Sequence, residues 1–328
     1  MEIGSNSDLS KRKEYNDEWY PHNKMHDEWR FCGILYDNRC DVNAYSYDCS
    51  LKKIMVYGSM AYIANVSVSD IIGGDVFTER VSVSISSGRK IGVEVDDDSI
   101  FIGGYAQILN SKFAVALNIY LNNCHLSLCL VKNNQEDCFG DTNGIVGFTD
   151  KKPVQSLSTI VLPNMTSSGK LTINNRTILL SGTSVAERTF GNYWLKYAEG
   201  HGEKFNIFFN NGDQMILFNL PFIKKSYGKY FPDQAESSII DEFSIEATEY
   251  KEVNDWRFGS VWYINIPGIQ EQKYFIIPLI DEQFALPCSW ITAGVYNCNG
   301  DKVGYCIGEL LPGARNELEK IAMSLFKK

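Results

Sequence analysis

Alternation of apolar and polar residues at a period of two is the strongest pattern along this chain. It is clean at Val81, Val83 and Ile85, at Ile91, Val93 and Val95, at Phe113, Val115, Leu117 and Ile119, and at Leu126, Leu128 and Leu130. Runs of this kind predict strands with one face in a core and the other turned outward. Turn signals stand between them: Gly73-Gly74, Ser87-Gly88, Gly103-Gly104, Asn122-Asn123 and Asn133-Asn134. Closely spaced strands without intervening helical periodicity predict an antiparallel barrel or sandwich.

The same grammar resumes at Gly169. Leu171–Ile173 and Thr177–Leu180 flank Asn174-Asn175, and asparagine tolerates the left-handed backbone of a two-residue hairpin turn. Phe205–Phe209 and Met215–Leu220 flank Asn211-Gly212, the strongest short hairpin signal in the chain. Further strands are predicted at Val261–Ile266, Tyr274–Ile277 and Trp290–Asn297, with Asn299-Gly300 as a later turn. Asp150-Lys151-Lys152-Pro153 and Pro163-Asn164 interrupt the pattern, which divides the chain into a polar mobile arm (1–24), one barrel (25–160) and a second (161–328). Leu318, Ile321, Ala322 and Leu325 recur at helical spacing, so an amphipathic helix is expected over Ala314–Phe326, docked on its own domain.

Composition narrows the partners. A net charge of -9 without a basic stripe argues against nucleic acid. No apolar run is long enough to span a membrane, and the first residues lack the apolar centre of a secretory signal, so a soluble cytoplasmic protein is expected. Nine cysteines without C-x-x-C spacing point to free, mostly buried thiols. The sequons at Asn65, Asn164 and Asn175 have no role in that compartment. Of four histidines, His22 and His26 are four apart beside Pro21 and read as loop residues rather than metal ligands. No metal site or cofactor motif is expected.

One stretch asks for chemistry. Glu187-Arg188 precedes Phe190, Gly191 and Trp194, and two charges near a core are costly unless satisfied. Either they pair with one another at a sheet corner or they form one wall of a ligand pocket.

The run Gly169, Leu171, Ile173, Asn174-Asn175-Arg176, Leu180-Ser181-Gly182-Thr183, ending in Glu187-Arg188-Thr189-Phe190-Gly191, resembles the signature of the carotenoid hydratase-like family. That family of tandem lipocalin-like proteins takes in the fungal decalin-forming Diels-Alderases. Asp27-Glu28-Trp29, the Asn206–Asn219 hairpin, Trp290–Gly294 and Gly304–Leu310 extend the resemblance over nearly all the chain after residue 25. It implies an all-β protein of two tandem lipocalin-like antiparallel barrels with a pocket at or near their junction.

Two departures bear on activity. The family corner usually reads Asp-His, against Glu187-Arg188 here, and its Tyr-x-Asp strand reads Leu217-Phe218-Asn219. Arginine keeps its proton and asparagine has none to give, so hydration would need another donor. The expectation is therefore a cofactor-independent cyclase that folds a linear apolar polyene, with Arg188, Glu187 and Asn219 in catalytic positions. Trp29, Tyr47, Phe190, Trp194, Asn206, Trp262 and Trp290 would line its pocket. A non-catalytic lipid or isoprenoid carrier is the alternative, and a carotenoid hydratase-like lyase the third.

Overall fold

Period-two apolar patterning and asparagine- or glycine-based turns build this protein from strands. A computed structural model describes residues 19, 21–22, 24, 26–56, 59–84, 93–96, 98–133, 136–140, 145–147, 156–191, 202–220, 225–253, 256–267, 272–280 and 289–311. Among them the first sheet contains β1 (His26–Asp37), β2 (Cys40–Val56), β3 (Ser59–Asp70), β4 (Val76–Ser84), β5 (Val93–Val95), β6 (Ser99–Ile102), β7 (Ala106–Asn110), β8 (Ala114–Leu121), β9 (Cys124–Val131), β10 (Asp137–Phe139), β11 (Ile145–Gly147), β12 (Ser156–Ile173) and β13 (Arg176–Gly191). The second contains β14 (Gly202–Phe209), β15 (Gln214–Leu220), β16 (Lys225–Phe231), β17 (Ser238–Ile240), β18 (Ser244–Val253), β19 (Trp256–Ile266), β20 (Gln272–Pro278), β21 (Ser289–Asn297) and β22 (Lys302–Leu311).

Strand order in the first sheet is β4-β3-β2-β1-β13-β12-β9-β8-β7-β6-β5, with β10 and β11 also on β12. The second sheet runs β17-β16-β15-β14-β22-β21-β20-β19-β18. All pairings are antiparallel, and each sheet curls about its own apolar core. The first core gathers Trp29, Phe31, Tyr47, Leu117 and Leu126, and the second gathers Phe205, Leu217, Trp262, Ile276 and Val295. A third cluster lies between the sheets, where Cys32, Ile34 and Val185 meet Phe208, Ile216, Trp290 and Ile307. The chain is all-β, two tandem lipocalin-like barrels back to back.

β1 is the seam. Its odd positions face the first core and its even positions the second sheet, so nearly the whole strand is buried.

The Asn174-Asn175 turn forms as expected, with φ of 47° and 66°, and Gly212 and Gly300 take positive φ in the two later turns. Pro163-Asn164 is a β-bulge inside β12, where the missing proline donor is tolerated. Asn164 there takes a φ of 52° and its backbone N donates to Gln214 Oε1 at 2.8 Å on the second sheet. Sheet membership accordingly changes after Gly191, later in the chain than this interruption.

The arm expected to be free through residue 24 is tied down at Trp19. Its ring enters the first core, its backbone carbonyl accepts from Trp29 Nε1 at 3.0 Å, and its own Nε1 donates to Glu136 at 2.7 Å. His26 begins β1 rather than lying in a loop. Of the eight cysteines described, four are buried and four exposed, so the thiols are free but not mostly buried. Asn65 and Asn164 are only 2% and 7% exposed, which closes both sequons in the folded chain. No helix among the described residues is long and apolar enough to cross a membrane. The expected C-terminal helix and Trp194 lie outside the described residues.

Candidate functional site

The side chains singled out in the sequence separate into three places, because neighbours along a strand point to opposite faces. Glu187 and Arg188 do not pair. Glu187 lies opposite Arg30 and turns toward the second sheet, whereas Arg188 lies opposite Trp29 and turns into the first barrel.

In the first barrel Arg188 is fully buried. It forms an ion pair with Asp27, and its Nη1 donates to the Glu28 carbonyl at 2.9 Å. Its guanidinium lies 3.9 Å from the Trp29 ring centroid and 5.4 Å from that of Phe190. His22 stacks on Phe190 at 3.9 Å and accepts from Arg188 Nη2 at 2.9 Å. Arg188, Trp29 and Phe190 are thus together, with Asp27 and His22 as partners that the sequence did not place beside them.

Tyr47 is buried in the same barrel and donates from its hydroxyl to Ser184 Oγ at 2.7 Å. β1 lies between the two strands involved, and Gly33 leaves the path open. A Cβ there would stand 2.3 Å from Ser184 Oγ and 2.9 Å from Tyr47 Cε1. Gly33→Ala is expected to cost about 1–3 kcal/mol, the range for overpacking a filled core. A lower unfolding midpoint in urea would register it.

Between the sheets lies a buried ionic network. Arg30 holds Asp48 at 2.7 Å and approaches Glu309 at 3.6 Å and Glu187 at 3.8 Å. Lys52 pairs with Glu28 at 3.0 Å and with Glu309, and Lys204 pairs with Glu187. Asn206 Nδ2 donates to Glu187 Oε1 at 2.7 Å. Burial is the largest single influence on Glu28 and Glu187 and opposes their charge, but Lys52, His26 and Lys204 together at the first, and Lys204, Arg30 and Asn206 together at the second, hold both carboxyls below their ordinary range. At Asp48 burial wins over Arg30 and the carboxyl is pushed up. Glu187 and Asn206 therefore sit in a structural clasp. Trp290 stands at its edge, with the Arg80 guanidinium 5.1 Å from its ring centroid.

The third place is the interior of the second barrel, where register puts Asn219 opposite Glu203. Glu203 is 7% exposed on the face that also carries Phe205 and Ile207. Asn219 Nδ2 donates to Glu203 Oε2 at 3.2 Å, and Ser226 Oγ donates to Asn219 Oδ1 at 3.1 Å. Burial raises the Glu203 carboxyl to about 7, only partly offset by Asn219 and the nearby Trp262 indole N–H. No cation among the described residues forms an ion pair with it. A carboxylic acid in this setting carries its proton near neutrality and can give it up. The sequence reading singled out Asn219 and Trp262 but not Glu203. The available signal was a carboxylate in phase with Phe205 and Ile207 on an otherwise apolar strand face.

No family model matches the chain, and no curated protein matches it. Solved structures share its fold. An AttH candidate from Nitrosomonas europaea superposes with a TM-score of 0.75 at 13% identity, covering 94% of this chain and 99% of its own. Kievitone hydratase from Nectria haematococca superposes with a TM-score of 0.66 at 12% identity, covering 91% of this chain and 92% of its own. These likenesses are to the fold.

Proposed function

We propose that this protein adds water across a carbon–carbon double bond of an apolar small molecule inside the second barrel, with Glu203 as the acid. The observation that carries the reading is a buried carboxyl raised to about 7, hydrogen-bonded to Asn219 and unpaired with any described cation. Glu203 transfers its proton to one alkene carbon. Water then attacks the cationic carbon and returns a proton to the Glu203 carboxylate, which closes the cycle without a cofactor. The Trp262 ring, wholly buried beside this carboxyl, supplies a π face toward the developing cation. Asn219 and Ser226 orient the carboxyl. The proton donor that the Leu217-Phe218-Asn219 strand lacks then stands on the neighbouring strand. Kievitone hydratase, which shares the fold, accords with a hydro-lyase, though the likeness does not extend to its residues.

The test is incubation of purified protein with a panel of isoprenoid alkenes in oxygen-labelled water. A product heavier by one labelled water supports the reading, and unchanged alkenes throughout count against it. A second reading, ring closure of a linear polyene, is favoured by Arg188 clamped over Trp29 and Phe190. Its product would be an isomer of the substrate without label. Recovery of bound alkene unaltered would favour the carrier.

A further inference from the structure

A cleft of about 240 Å³ opens between β2–β4 of the first sheet and β21–β22 of the second. It is remote from the Glu203 chemistry in one respect that strand parity makes plain. Glu203 faces the interior of the second barrel, whereas this cleft is walled by the outward faces of both sheets. Its chemistry is mixed. Ile307 and the Trp290 ring give apolar surface, and Asp48, Asn65 and Arg80 give polar groups.

Several of these polar groups are built in yet unused. Asn65 is 2% exposed and Trp290 7%, and neither Asn65 Nδ2 nor Trp290 Nε1 has a hydrogen-bond partner among the described residues. Asp48 offers Oδ2 to Arg30 while its Oδ1 accepts no hydrogen bond. Buried donors and acceptors are paired in nearly all native proteins, and each exception asks for an occupant. The residues that carry these two donors and one acceptor all line a single cleft, and their unmet hydrogen bonds define what would satisfy them.

We infer that this inter-sheet cleft binds a small hydroxylated carbonyl compound, whose carbonyl-type oxygen accepts from Asn65 and Trp290 and whose hydroxyl donates to Asp48. Its carbon skeleton lies along Ile307 and the Trp290 ring. Because Asp48 also holds Arg30, occupancy bears on the clasp that joins the two sheets.

Isothermal titration of the full chain with lactate and, separately, lactamide tests the site, since both carry the hydroxyl and carbonyl oxygen and only one carries charge. Saturable binding of either is expected. Preference for lactate assigns a charge contribution to Arg80, and preference for lactamide a neutral ligand. Asn65→Leu and Trp290→Phe should each weaken binding by about tenfold, the worth of one hydrogen bond. The Asn65→Leu protein should also unfold at or above the wild-type midpoint, because it removes a buried group without a partner. Failure of both probes to bind overturns the proposal, as does unaltered affinity in both variants. A steep loss of stability in Asn65→Leu would overturn it too, by assigning the amide to the fold.

Discussion

Arg30→Met is expected to destabilise the protein by about 3–5 kcal/mol, the scale seen when one partner is removed from a buried ion pair. The cost comes from what is left behind. Arg30 alone touches Asp48, Glu187 and Glu309, and all four side chains are at most 4% exposed. Without the guanidinium, Asp48 keeps no ion-pair partner among the described residues, and its carboxyl, already raised by burial, would take up a proton. Glu187 retains Lys204 and Glu309 retains Lys52, so the damage concentrates at one carboxyl. The double variant Arg30→Met, Asp48→Leu should therefore recover much of the loss, since a buried pair exchanged for apolar groups of similar volume is often neutral. Urea unfolding of the three proteins at pH 7 measures both steps. A loss below about 1 kcal/mol in the single variant would mean that water reaches the clasp and screens it as at a surface.

The placement of that clasp explains how much of the molecule could be read beforehand. β8 and β9 bury alternate residues, and their runs at Val115–Ile119 and Leu126–Leu130 stand out in the sequence. β1 buries both faces, so His26–Asp37 shows no alternation and gives no period to detect. Glu187 and Arg188 were visible as costly charges, but their partners Arg30 and Asp27 lie far away in sequence. Only the β1–β13 register brings them together, and nothing local encodes it. The hairpin at Asn211-Gly212 is the opposite case. Equal steps counted from Asn211 pair Phe205 with Leu217 and Glu203 with Asn219, as observed. That juxtaposition was legible; the raised carboxyl was not, because desolvation depends on distant strands of the barrel closing over it.

Glu203→Gln separates the proposed acid from a merely structural carboxyl, because it should move activity and stability in opposite directions. Glutamine keeps the shape and the capacity to accept from Asn219, but it has no acidic proton. Alkene hydration should fall by about a hundredfold to ten-thousandfold, the usual worth of a positioned general acid. In the wild type, activity should decline as pH rises through about 7, where Glu203 loses its proton. Stability follows from the same proton. The folded value of about 7 lies above the ordinary 4.5, so between them the folded chain holds a proton that the unfolded chain has released. Stability is greatest below the ordinary value and declines as pH climbs to about 7, beyond which both states are ionised and the loss is complete. Glutamine carries no such penalty, so Glu203→Gln should exceed the wild type at pH 8 by as much as roughly 3 kcal/mol, and the difference should vanish near pH 4. Unfolding midpoints of both proteins across this range decide the matter. Equal pH profiles would show that folding leaves the Glu203 carboxyl at its ordinary value, ionised near neutrality, and with it the proton needed for hydration would be lost.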